Sequence, residues 1–266
     1  MITEVYKQII VFIILFILSY SAAKINVIAT ILSVFIPIYL LFRPMKDLDI
    51  SLFRAWKGPS VLIPLLIFAN FYLLPKSFHQ YAYIFTYILA FNMLQPVFLI
   101  QLKDSEIMSK INALLLFILA FYTPKLHFNN SLKVIAFENK HDISWIIASC
   151  LVLGSLYIFS DYYKRSHWQY IGLYSIIMPA IVTLANKDNT LWTSLRAYSL
   201  ALSFLILFDP IKSIYEQTTK KLVSNYDLSH DKYDIVRAIT LMMSTIATGY
   251  VIKNGTKNTV TNYLLP

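Results

Sequence analysis

The sequence predicts an all-α, polytopic transmembrane helix bundle, on three observations. Of its 266 residues, 58% are hydrophobic and only 14% charged, against roughly 25% charged in an ordinary soluble domain. Mean hydropathy is +0.60. Apolar runs recur along the whole length, and about 20 helical residues cross a hydrocarbon core of ~30 Å.

About nine spans are expected, over residues 8–23, 25–43, 60–77, 80–102, 110–124, 143–160, 168–186, 190–211 and 235–253. The first ends in small residues (Ser19 to Ala23), as a signal peptide would, but its charged region is weak and the second span follows at once. An uncleaved helix, tightly hairpinned to the second, is expected. The fifth is the shortest, and Pro124 ends it, so a tilted or re-entrant piece fits there. Connections 43–59, 125–142 and 212–234 are the longest, and none is long enough for a soluble domain. The chain therefore reads as a single transmembrane domain over 1–266, with an interfacial amphipathic helix expected within 212–234. Segments 65–79 and 114–128 echo one another weakly, each closing on a Pro-Lys pair followed by aromatic and His residues.

The net charge of +9 is spread thinly through loops, with no basic run longer than a pair. Orientation and contact with anionic lipid explain it better than nucleic acid, which is not expected as a partner. On alternate sides of the spans, 14 Lys and Arg fall with the N-terminus and 8 opposite, Arg196 being the last of the 23. This places the N-terminus in the cytoplasm and the C-terminus outside. The lone cysteine, Cys150, excludes an intrachain disulfide and reads as a small packing residue.

Small and hydroxyl side chains at helical spacing mark inward faces in lipid. Such stripes are Asn26, Thr30, Ser33 and Pro37; Ser175, Pro179, Thr183 and Asn186; and Thr240, Ser244 and Thr248 beside Gly249. Asn92 and Gln95 lie one turn apart before Pro96. Prolines at 37, 64, 96 and 179 each free a carbonyl one turn earlier, which neighbours, hydroxyls or water must satisfy. Broken helices of this kind build solute sites in transporters, although they also serve as packing kinks.

Arg196 is the one charge within span 190–211. At ~100° per residue, Asn189, Trp192, Thr193, Arg196, Ser199 and Ser203 share an arc of about 120°, with Leu195, Tyr198, Leu202 and Leu205 opposite. Arg196 thus falls on the face expected to look inward, about 9 Å from the outer end of its helix. Two readings stand: a cation that snorkels or pins Asp188 or Asp142, and an anion-facing charge in an outward-opening cavity. On the second, the solute-binding residues are Arg196, Ser199, Thr193, Asn92, Gln95, Ser175 and Thr183.

No His-Glu-x-x-His run, Gly-rich phosphate loop or paired acidic motif occurs, so no enzyme chemistry and no cofactor is expected. His79, His127 and His141 all map to the outer side and are the only metal candidates, at a spacing that matches no metal motif. The expected function is binding or passage of a small polar solute, anions included. The alternatives are a structural or accessory subunit of a membrane complex, and a membrane enzyme acting on a lipid-linked substrate. Partners expected are membrane lipids and, within the membrane, other proteins or further copies of the chain.

Residues 145–148 (Trp-Ile-Ile-Ala), Trp168 with Gly172, Pro179, and the stretch from Leu191 to Ala201 resemble an uncharacterised family of bacterial polytopic membrane proteins, known as a domain of unknown function. Residues 52–61 and 78–83 are similar to the early segment of that family. The resemblance implies a membrane bundle in which Arg196 belongs to a patterned segment, and it implies no activity.

Overall fold

The computed structural model describes residues 2–42, 65, 83–129, 131, 134–138, 142–160, 168–207 and 230–254. These form eight helices: α1 (Ile2–Lys24), α2 (Asn26–Phe42), α3 (Ile84–Lys103), α4 (Ile107–Phe121), α5 (Ile143–Phe159), α6 (Trp168–Asn186), α7 (Trp192–Leu207) and α8 (His230–Asn254). Between α4 and α5 an antiparallel hairpin pairs β1 (Leu126–Asn129) with β2 (Val134–Phe137), in the register Leu126 to Phe137. Span 60–77, most of the 65–79 echo and the 212–229 segment lie outside the described residues, apart from the buried Leu65.

The helices pack in sequence, α3 on α4, α4 on α5, α5 on α6 and α6 on α7. The first helix α1 then packs on α7, α2 on both α1 and α7, and α8 on α4 and α5. Polar contacts fix the directions. At one end Asp104 accepts a hydrogen bond from Ser160 Oγ (2.5 Å), and Arg237 Nη1 pairs with Glu106 Oε2 (2.7 Å). The end of α3, the start of α4, the end of α5 and the start of α8 therefore meet there. At the other end Leu126 N donates to Thr86 Oγ1 (2.9 Å) and Trp145 Nε1 to Leu119 O (2.9 Å). Phe137, Trp145 and Trp192 join their rings at that end, with centroids 5.4 to 5.9 Å apart. Successive helices from α3 to α5 thus alternate in direction, and α8 runs parallel to α4.

Around an apolar core, burial departs from that of a water-soluble domain in two respects. Ser33, Gln95, Asn112, Ser155, Ser175, Ser199 and Ser203 are buried, while large apolar side chains face outward on several helices. They include Ile10, Ile13 and Ile17 on α1, Ile31 and Phe35 on α2, and Met242 and Ile246 on α8. Contiguous apolar surface on this scale requires a membrane or a partner to cover it.

The span count is corrected by helix length. Among the described residues, Ile84–Lys103 and Tyr233–Asn254 are long and apolar enough to cross a membrane, and α1 with α2 makes a third if the bent pair is one span. That is two or three, against about nine. The apolar helices Ile107–Phe121 and Ile143–Phe159 have 15 and 17 residues, which rise roughly 22–26 Å, short of a ~30 Å core. The reason is length and not place: these helices nearly coincide with the expected spans 110–124 and 143–160, which are themselves too short for a full crossing. Of the span expected over 190–211, α7 is described over Trp192–Leu207, and residues 208–211 lie outside the described residues. The first two helices diverge through 116° at the Ile25 break, so they form a bent pair and not a tight hairpin.

Candidate functional site

The site starts from Pro179. Proline has no backbone N–H, so the carbonyl one turn earlier, that of Ser175, loses its helical donor. A hydroxyl from the next helix replaces it. Ser199 Oγ lies 3.3 Å from Ser175 O and 3.2 Å from Arg196 O, and its single proton is shared between them. The Ser175 side chain donates to Gly172 O (2.8 Å) and accepts from Arg196 Nη1.

The third wall is α5. The guanidinium of Arg196 also hydrogen-bonds the Tyr157 hydroxyl. The Tyr157 ring lies against the α-carbon of Gly172, in the space that a Cβ there would take. Cys150, one helix turn pair earlier on α5, is half-buried with its Sγ 4.0 Å from Ile176 O. Three helices therefore converge on one cation whose partners are hydroxyls. The two ion pairs described, Lys125 with Glu138 and Arg237 with Glu106, do not involve Arg196. Asp188 serves the α6–α7 turn instead, accepting from Thr190 N (3.0 Å).

That turn sets the register of α6 against α7. Lys187 adopts a left-handed conformation (φ 51°), Asp188 N bonds Thr183 O (3.2 Å) and Lys187 N bonds Leu184 O (3.4 Å). This pair of bonds closes a helix in the Schellman manner, although the usual glycine is a lysine here. The chain then re-enters a helix within five residues, which brings the two polar arcs face to face.

Toward the turn, three polar atoms of these helices are buried with no partner: Thr183 Oγ1, Thr193 Oγ1 and Trp192 Nε1. The great majority of buried polar atoms in proteins have a partner, counting ordered water. Such exceptions mark places where water or a polar ligand belongs.

The expected solute-binding residues fall into two groups. Arg196, Ser199, Thr193, Ser175 and Thr183 lie on α6 and α7, and Arg196, Ser199 and Ser175 touch one another. Asn92 and Gln95 lie on α3, whose main neighbour is α4, with α5 between them and α6. Gln95 is buried and Asn92 half-buried. Of the metal candidates, His127 is half-buried on β1, and His79 and His141 lie outside the described residues. Among the described residues no three His, Cys, Asp or Glu side chains gather closely enough to hold a metal ion.

Sequence reasoning missed Tyr157 and Gly172 as part of the site. A tyrosine within an apolar run carries no pattern, but glycine three residues before Ser175 on a helix is a signal of close approach. It also placed Tyr198 on an apolar face. Tyr198 and its neighbours Leu195 and Leu202 are in fact as buried as the polar arc, because α1 and α2 cover that side of α7. The Tyr198 hydroxyl lies 2.9 Å from Ser33 Oγ and 3.3 Å from Ala29 O on α2.

No family model, no curated protein and no solved structure matches the chain. The resemblance of its segments to a domain of unknown function rests on those segments alone.

Proposed function

We propose that the chain is a multi-pass membrane protein, with its N-terminus in the cytoplasm and its C-terminus outside, that binds or passes a small anionic solute at Arg196. The observation that carries the reading is a half-buried guanidinium held by Ser175 and Tyr157 with no carboxylate beside it among the described residues. Arginine has five N–H donors, and two described partners leave donors for a ligand. A carboxylate or phosphate suits that fork best, because paired charge-assisted bonds can form. The unpartnered Thr183, Thr193 and Trp192 atoms extend the polar surface toward the α6–α7 turn. Helices shorter than the hydrocarbon core are accommodated by local thinning of the bilayer, which supports further crossings beyond the two long ones.

A structural or accessory subunit is the second reading, favoured by the same hydrogen bonds, since they staple α5, α6 and α7 together. Thermal unfolding of the purified protein with acetate or inorganic phosphate separates the two. The solute reading expects either anion to raise Tm, with the increase abolished in Arg196→Leu. Arg196→Lys keeps the charge without the planar fork and is expected to lose on the order of 1–3 kcal/mol of affinity. If neither anion raises Tm, or if Arg196→Leu responds like the parent, the staple reading stands.

A further inference from the structure

Helix α8 presents two kinds of hydroxyl. Thr240 and Thr245 each donate to the carbonyl four residues earlier, Val236 O (2.8 Å) and Leu241 O (2.9 Å). This back-bonding is how a helix in lipid satisfies a hydroxyl by itself. Ser244 and Thr248 are fully buried and do not do this, and their hydroxyls meet no partner. Together with Arg237, Leu241 and Val251 they fall at spacings of four and three, the seam that α8 turns toward α4 and α5. Met242, Met243 and Ile246, between them, face outward.

The facing helices repeat the pattern. Asn112, one turn on from Ser109 along α4, donates through Nδ2 to Ser155 Oγ of α5, while its Oδ1 is buried without a partner. Ser109 itself accepts from Arg237 Nη2 (3.2 Å), and Arg237 Nε is a further buried, unpartnered donor. Four such atoms, three on α8 and one on α4, thus follow one interface. The end nearest Arg237 is open, since the side chain of its partner Glu106 is 40% exposed.

We propose that the α4–α5–α8 seam is a water-holding cleft, entered beside Glu106 and Arg237 and reaching Thr248. From Arg237 to Thr248 the helix rises about 16 Å, roughly half of a ~30 Å hydrocarbon core. Its occupant is ordered water, which supplies both the donors that Asn112 Oδ1 needs and the acceptors that Arg237 Nε, Ser244 and Thr248 need. This cleft is formed by α4, α5 and α8 without α6 or α7, and it does not depend on what Arg196 binds.

The test is alkylation by N-ethylmaleimide, which requires a thiolate and therefore water at the sulfur. Single cysteines are placed at Ser244, Thr248 and, as lipid-facing controls, Met243 and Ile246, in a Cys150→Ala background of the full chain in phosphatidylcholine vesicles. Ser244→Cys and Thr248→Cys are expected to react at least ~10-fold faster than the two controls. Equal, slow reaction at all four positions overturns the cleft and leaves a dry packing seam. Should the cysteine variants fail to fold, water-to-protein magnetisation transfer in the unaltered chain decides. Faster transfer to Thr248 than to Met243 supports the cleft, and equally slow transfer to both overturns it.

Discussion

Substituting Gly172 by alanine adds one methyl group and tests the packing on which the Arg196 site is built. Its new Cβ would enter the ring of Tyr157, overlapping Cε1, Cζ and Cδ1. That ring is buried and has to shift to admit the methyl group, and its hydroxyl then leaves Arg196. Overpacking of this kind costs about 1–3 kcal/mol. A lost hydrogen bond to a charged group costs about 1.5–3 kcal/mol more. Against this, alanine in place of glycine favours a helix by about 0.8–1 kcal/mol. The net expectation is a loss of about 1.5–5 kcal/mol for Gly172→Ala. Gly154 and Gly249 are the controls, because a Cβ at either position meets nothing within 4 Å. Gly154→Ala and Gly249→Ala are expected to be neutral or to gain up to about 1 kcal/mol. Equilibrium unfolding in mixed micelles, titrated with sodium dodecyl sulfate, measures all three. A Gly172→Ala variant as stable as the two controls would refute the contact and, with it, the convergence of α5 on the site.

Two further outcomes follow from contacts elsewhere. Tyr198→Phe and Ser33→Ala should each destabilise by about 0.5–1.5 kcal/mol and be non-additive, since one hydrogen bond joins them; additive effects would argue against that bond. For topology, single cysteines in a Cys150-free background, labelled from outside, should react within 125–142 and stay unmodified within 43–59. Labelling of the 43–59 segment alone would reverse the proposed orientation.

The sequence made the chemistry around Pro179 legible because a missing N–H is a deduction from one residue type. A carbonyl one turn before Pro179 had to find a donor, and Ser199 supplies it. The arc around Arg196 was legible for the same reason, since helical periodicity places Ser199 and Arg196 on one face whatever packs there. The hairpin was not legible, and residues 125–142 read as a plain connection. The segments Leu126–Asn129 and Val134–Phe137 are each four residues, too short to show alternation, and β2 is buried throughout, which removes any alternation to see. The covering of α7 on both sides was hidden as well. It depends on α1 and α2, whose contact with α7 no local pattern encodes.

The bond between Ser33 and Tyr198 joins positions 165 residues apart. At a synthesis rate of about 5–20 residues per second, α2 is made roughly 10–30 s before its partner exists. During that interval Pro37 leaves the Ser33 carbonyl without its helical donor, and the Ser33 hydroxyl has only its own backbone to bond. The arrival of α7 ends this exposure, when the Tyr198 hydroxyl settles between Ser33 Oγ and Ala29 O. Nascent chains stalled before codon 198, and far enough beyond it for α7 to have left the ribosome, would therefore hold α2 in two distinct states, without and with the Tyr198 bond.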